Sequence, residues 1–426
     1  MSRRRFVMMT YGSVTWCVVS LCLWLVLDAG PLLADDSVRR IYTLQDILTL
    51  AERHSPTLAG AEGLVKQSRG QQIAAGAYLN PSITGSAGRG AIRDPSTGVR
   101  VTERTLLVEQ PIEWAGKRSA RQEAADAGVA GAGAALDEAK VSLSADVKVA
   151  FYQLLYQQRD AELARQHVAA VEEMQRTVQA RVAAGEATSF DRLKAGVELQ
   201  KAQKDLARAQ HALLAAGARL NALAAGTLGK GFSIQGEFRS LSQALDPDPL
   251  TALAIEQHPA IRRLAKLAEQ ADHSLRFERE ARVPNITLLG SYHREAGDES
   301  LVAGISVPLP LWYRRQGEIQ TALGAKHRAD AERLRVRHEL EAAITQHVQE
   351  VLTAHEQLQV FDNGLLKQAE QTVALAKMSF RHGAATLLDL LDAQRVYRQT
   401  LLEYAQAQSE LSIALTRLER SLGAPL

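Results

Sequence analysis

The chain repeats itself, and that repeat limits its folds more than any other feature. Ala183-Ala-Gly-Glu-Ala-Thr-Ser-Phe-Asp191 returns as Arg381-His-Gly-Ala-Ala-Thr-Leu-Leu-Asp389; Gly185 and Gly383 lie 198 residues apart, as do Asp191 and Asp389. Nearer the start of each copy, Pro56 matches Pro259 and Pro81 matches Pro284 at a spacing of 203. The five-residue difference falls near Asp94-Pro-Ser-Thr-Gly98, a turn signal longer than its counterpart, and insertions gather at exposed turns. So long a period marks the duplication of a whole unit, not a short-period solenoid. In each tip the Gly suits the left-handed position past a helix end. The Asp that follows Thr188 or Thr386 suits the start of the next helix, by capping or through the macrodipole. Each stretch reads as the tight end of a helical hairpin.

Beyond the first tip, Ala195, Leu199, Ala202, Leu206, Ala209, Leu213, Ala216 and Leu220 alternate four and three apart, a heptad with Ala and Leu at its core positions. The second copy reads Ala393, Tyr397, Thr400, Tyr404, Ala407, Leu411, Ala414, Leu418. Hydrophobic residues make up 46% of the chain but aromatics only 5%, a composition suited to long helices at close spacing. If helical throughout, Lys117–Ala183 would be a rod of roughly 100 Å. Such a rod must lie against other rods.

The predicted fold is mainly α with a small β part, in two repeats. The first, 42–226, holds a helix to about Leu79, a β-hairpin within 82–110 (strands 82–93 and 101–110), a helix from about Lys117 to the first tip, and a helix from Asp191 to about Leu223. An irregular linker spans 227–249 and ends in Asp246-Pro-Asp-Pro249. The second, 250–423, holds a helix Leu250–Ala281, a β-hairpin within 285–310, a long helix to Phe380 and a helix to about Leu422. Ile286, Leu288, Gly290 and Tyr292 fall on one face of their strand, and Leu301, Ala303, Ile305, Val307 and Leu309 alternate likewise across the turn Ala296–Glu299.

Residues 1–34 read as a signal peptide: Arg3, Arg4 and Arg5, the apolar run Val14–Leu27, then Leu32-Leu-Ala34 as a cleavage site. Ser2–Val7 also resembles a twin-arginine signal. Both cysteines, Cys17 and Cys22, fall inside it, so the mature chain would carry no thiol chemistry. No later stretch is long and apolar enough for a transmembrane helix. A net charge of +2, from 50 basic and 48 acidic residues, gives no case for nucleic acid. No two His are three or four apart, and only Met174 and Met378 lie beyond the signal, so no metal site or cofactor is expected. His347 and Glu350 share a helix face, a spacing typical of a solvated pair. With no nucleophile–base set, no enzymatic activity is expected.

Four strands cannot close a barrel, and isolated hairpins are marginal. A secreted chain can pool its hairpins with other copies into a closed barrel in an outer membrane; two, three or four copies would supply eight, twelve or sixteen strands, and strand physics does not choose among them.

The order of helix, hairpin, long helix, Gly-containing tip and returning helix resembles the TolC-type outer-membrane efflux proteins over Tyr42–Gly423. The run Glu109-Gln-Pro-Ile-Glu-Trp-Ala-Gly-Lys-Arg118 resembles the branch associated with heavy-metal cation efflux of the resistance-nodulation-division type. The resemblance implies a homotrimer whose twelve-stranded β-barrel crosses the outer membrane, in contact with its lipid, and whose α-helical barrel extends into the periplasm. It implies tips that meet a periplasmic adaptor, here Gly185, Thr188, Asp191, Gly383 and Thr386, and through it an inner-membrane efflux pump. It also implies an aperture ringed by Asp389 and Asp392, three apart on one helix face. The alternative for these two is a cap at Asp389 and a surface pair of Asp392 with Arg395 or Arg381. Asp191 reads as a cap, since Lys194 stands where a second carboxylate would be. The cargo is left open between metal cations, drug-like molecules and secreted polypeptides, and a pore-free periplasmic scaffold is the reading from another class.

Overall fold

A computed structural model describes residues 40–426 apart from positions 94, 95, 97, 99, 242, 243 and 296. The segment 1–34, expected to be a signal peptide, and most of the turn Asp94–Gly98 lie outside the described residues. The elements run β1 (Ile41–Tyr42), α1 (Leu44–His54), α2 (Pro56–Gly76), β2 (Ser82–Arg93), β3 (Arg100–Ile112), α3 (Ala115–Ala183), α4 (Ser189–Leu223), β4 (Ser233–Ile234), α5 (Pro247–Gln257), α6 (Pro259–Glu280), β5 (Ile286–Glu295), β6 (Asp298–Ser306), α7 (Gln316–Val360), α8 (Leu366–Arg381) and α9 (Leu387–Leu422). α3 alone is 69 residues, about 104 Å at 1.5 Å per residue.

Four expectations need correction, each for a local reason. The helix from Tyr42 to Leu79 is two helices that break at Ser55, because a proline at the next position keeps the preceding residue out of the α region. Ser55 also caps the second of them, accepting from the Leu58 N–H at 3.4 Å. The helix Leu250–Ala281 breaks at His258 before Pro259 for the same reason. The linker is not wholly irregular: β4 pairs in parallel with β1, so the inter-repeat segment is stitched to the start of the first repeat. The long helix to Phe380 is interrupted by a π-helical segment, Phe361–Leu365, in which Gly364 takes φ 132°, a conformation that Gly tolerates and L side chains rarely do. The duplicate position in α3 is Gln166, and α3 runs on unbroken.

The two hairpins join into one antiparallel sheet of order β2-β3-β5-β6. β3 runs through Pro111 to Ile112 and pairs with β5 from Glu103↔Glu295 to Ile112↔Ile286. β2 and β6 are free edges. The helices beneath follow the same order: α2 packs on α3, α3 on α6, and α6 on α7. Toward the tips α4 packs on α3, α3 on α9, and α9 on α8. Ala195, Ala202, Ala209 and Leu220 are buried, as are Ala393, Thr400, Ala407, Leu411, Ala414 and Leu418. The heptad seams therefore face inward in both copies. Basic side chains of the run after β3 tie sheet and helices together. Arg118 Nη2 donates to Gly76 O at 2.8 Å, Arg121 Nε to Ala75 O at 2.9 Å, and Lys117 Nζ to Asn285 Oδ1 at 2.5 Å. The arginines thus satisfy carbonyls that the end of α2 leaves open.

Candidate functional site

The two tips are built by one local device, used twice. Gly185 and Gly383 have φ 78° and 77°. Past the end of α3 the Glu186 N–H donates to Arg181 O at 2.8 Å and the Gly185 N–H to Val182 O at 3.1 Å. Past α8 the Ala384 N–H donates to Ser379 O at 2.8 Å and the Gly383 N–H to Phe380 O at 3.2 Å. Both are Schellman closures. Capping boxes follow. The Thr188 hydroxyl donates to Asp191 Oδ2 at 2.7 Å and accepts from the Asp191 N–H at 3.2 Å; Thr386 and Asp389 repeat these distances. Hydrogen bonds from Thr188 and Thr386, side chain first and backbone second, hold both carboxyls below their ordinary value of 3.8. A depressed carboxyl stabilises the folded tip above pH 3.8, and this contribution disappears as pH falls through the folded value. Thr188→Ala and Thr386→Ala are each expected to cost about 1 kcal/mol locally. Amide exchange in the first turn of α4 or α9 should accelerate about fivefold; unchanged exchange would show that the box contributes nothing.

The tips are packed together. Val171, Met174 and Val178 of α3 meet Phe380 and the α9 residues Leu387, Leu390 and Leu391 in one buried cluster. Arg181 crosses between them: its Nη1 donates to Phe380 O at 3.2 Å and its guanidinium lies 5.1 Å from the Phe380 ring centre. Glu173 receives both Lys377 and Arg381 at 3.5 Å. Sequence reading missed Arg181 and Glu173. The available signal was a cation in the last turn of a helix, but the carbonyl it serves belongs to a neighbouring helix. Asp389 is exposed with only Oδ2 engaged, and Asp392, 66% exposed, pairs with Arg395 at 3.3 Å rather than with Arg381. An ion pair that exposed holds its carboxylate only weakly. Phe190 and Leu388 occupy the same position in the two copies, and both are exposed apolar side chains.

At the other end, the register sorts the sheet into two unlike faces. Rows Ile83–Val108–Gly290–Ala303, Gly85–Leu106–Tyr292–Leu301 and Gln110–Leu288–Ile305 share one face, with Ile112 beside Ile286. Its large apolar side chains are all exposed. The opposite face carries Ser82, Thr84, Ser86, Thr105, Ser291 and His293 with four carboxylates, Glu103, Glu109, Glu295 and Asp298, and three apolar side chains, Leu107, Leu289 and Val302. No Lys or Arg lies on that face among the described residues. His293 accepts or donates to Thr105 at 2.9 Å and sits 3.8 Å from Glu103 and 3.4 Å from Glu295.

Among the described residues no three His, Cys, Asp or Glu side chains are placed to hold a metal ion. His347 and Glu350 are not a mutual pair: His347 Nδ1 meets Ser421 Oγ at 2.9 Å and Glu350 meets Arg417 at 3.7 Å. No described helix is long and apolar enough to cross a membrane.

The family described as "Outer membrane efflux protein" matches residues 47–226 and 250–424, one match for each copy of the duplication. The chain belongs to that family. It is an efflux protein of the outer membrane, with the mainly helical, few-stranded fold of TolC-like channels. The cobalt-zinc-cadmium resistance protein CzcC of Cupriavidus metallidurans is 28% identical over 397 residues, covering 93% of this chain and 91% of that protein. The nickel-cobalt-cadmium resistance protein NccC of Alcaligenes xylosoxydans xylosoxydans is 24% identical, covering 76% and 73%. The structure of the Campylobacter jejuni CmeC outer membrane channel superposes with a TM-score of 0.76 over 89% of this chain and 85% of that one, at 16% identity, a likeness of fold alone.

Proposed function

We propose that three copies of the chain close a twelve-stranded barrel in the outer membrane, continue as a helical tunnel into the periplasm, and form a passive exit duct for heavy-metal cations. The observation that carries this reading is the sheet: two free edges, one exposed apolar face, and one mainly polar face whose formal charges are all negative among the described residues. A free edge is a row of unpaired backbone groups, intolerable in a bilayer unless another strand covers it. The helical rows beneath run α2–α3–α6–α7 and α4–α3–α9–α8, so the rotation that closes the barrel would close the tunnel with it. An acidic lining concentrates cations and repels anions, which agrees with the metals in the names of CzcC and NccC. Energy would come from an inner-membrane pump reached through a periplasmic adaptor, met by the tips at Gly185, Thr188, Asp191, Gly383 and Thr386.

The test is conductance of the purified protein in planar bilayers under a KCl gradient. A reversal potential of the sign for cation preference is expected; anion preference, or no conductance, would sink the reading. In the same measurement Asp389→Asn with Asp392→Asn should weaken the cation preference and relieve block by divalent metal added on the tip side, because six carboxylates would leave the aperture. Asn keeps the capping acceptor. Asp191→Asn, which changes the same box in the other tip, should leave both quantities as they were. Equal behaviour of the two variants would remove Asp389 and Asp392 from the aperture.

A further inference from the structure

The apolar face of the sheet does not fade into polar residues at its outer end; it stops at arginines. One row beyond Leu106–Tyr292–Leu301, Arg104 stands opposite Arg294 and Arg294 opposite Glu299. Arg89 lies on the same face one row further, opposite Thr102. All three arginines are exposed. Arg294 reaches Glu299 at 3.4 Å, whereas Arg89 and Arg104 have no ion-pair partner among the described residues. At the same height the opposite face carries Glu103, Glu295 and Asp298. Solubility alone would be served by either sign on either face. Here strand alternation has put all three arginines with the apolar residues, where Glu299 is the one carboxylate beside them among the described residues, and Glu103, Glu295 and Asp298 with the polar ones.

The depth fits a membrane boundary. From Ile112 to Arg104 is eight residues, about 27 Å along the strand, or about 21 Å of height at the usual tilt, close to the apolar band of an outer-membrane barrel. An arginine on the lipid side is costly at mid-depth and tolerated at the boundary. There its planar fork matches phosphate oxygens two at a time. We propose that Arg89, Arg104 and Arg294 form a docking rim for phosphate-bearing headgroups of outer-leaflet lipid. The rim rests on the barrel reading above.

The full-length protein would be placed in phosphatidylcholine nanodiscs with and without bisphosphorylated lipid A. Retained lipid A would be counted by native mass spectrometry, with insertion monitored by protease resistance of the sheet. Wild type is expected to retain lipid A but not its dephosphorylated form. The triple variant Arg89→Gln, Arg104→Gln, Arg294→Gln should insert as well as wild type and retain about tenfold less. Equal retention by inserted wild type and variant overturns the rim alone. Full displacement by millimolar inorganic phosphate would make this a free-phosphate site and overturn the lipid assignment. Failure of the wild type to insert would overturn the barrel reading, and the rim with it.

Discussion

Val108→Arg is expected to keep the protein out of the outer membrane, while Leu107→Arg beside it is tolerated. Val108 lies in the middle row of the apolar face, between Ile83 and Gly290. Leu107 points the other way, opposite Thr84 and Ser291, because consecutive strand residues face opposite sides. An arginine on the lipid side near mid-depth costs about 2–4 kcal/mol in a β-barrel, and a trimer would bear it three times. On the polar side the same guanidinium faces water and the four carboxylates. Membrane fractionation with a heat-mobility assay reads the outcome: Val108→Arg should vanish from the folded outer-membrane fraction and Leu107→Arg should remain. Equal levels of both, or the reverse order, would mean that the sheet has been turned the wrong way round.

Glu419→Gln should lower thermal stability by about 3 kcal/mol, since removing one partner from a buried ion pair strands the other. Glu419 is 6% exposed and holds three parts of the chain at one point. Lys148 of α3 meets it at 2.6 Å, Arg239 of the inter-repeat segment at 2.9 Å, and the Leu426 N–H of the C-terminal end at 3.3 Å. Burial would raise its carboxyl, but the Lys148 hydrogen bond and the charges of Lys148 and Arg239 outweigh burial and hold it below the ordinary 4.5. The stabilisation is therefore complete above pH 4.5 and lost as pH falls through the folded value. The low end of the usual range applies because Lys148 and Arg239 keep 21% and 27% of their side chains in contact with water. Glu419→Leu with Lys148→Met should recover much of the loss, leaving Arg239 to turn outward. Melting of the detergent-solubilised protein checks both; an unchanged midpoint for Glu419→Gln would show that the cluster is incidental.

What could be read in advance follows the range of each interaction. The tips were legible because a left-handed Gly and a Thr–Asp capping box act within six residues. The heptads were legible because their period is set by one helix. The breaks at Ser55 and His258 were also local, carried by Pro56 and Pro259, and a stricter reading of proline would have found them. Glu419 was not legible: its duplicate is Asn221, which bonds Leu228 and Gly229 instead, so the repeat offered no hint of a charged junction. Arg181 was hidden for the same kind of reason, since its acceptor is the carbonyl of a residue 199 positions away.

By itself the sequence determined the duplication, the helical hairpins, the tips and the alternation of the second β-hairpin, because each depends on residue types and spacings along the chain itself. Only the tertiary structure decided that β3 pairs with β5, and in which register. That pairing merges two marginal hairpins into one sheet, aligns Val108 with Gly290 and Arg104 with Arg294, and so turns four separate alternations into an apolar face, an acidic face and a basic rim. The physical reason is that alternation assigns a side chain to a face but not to a height. Height comes from hydrogen bonds between strands that lie nearly two hundred residues apart.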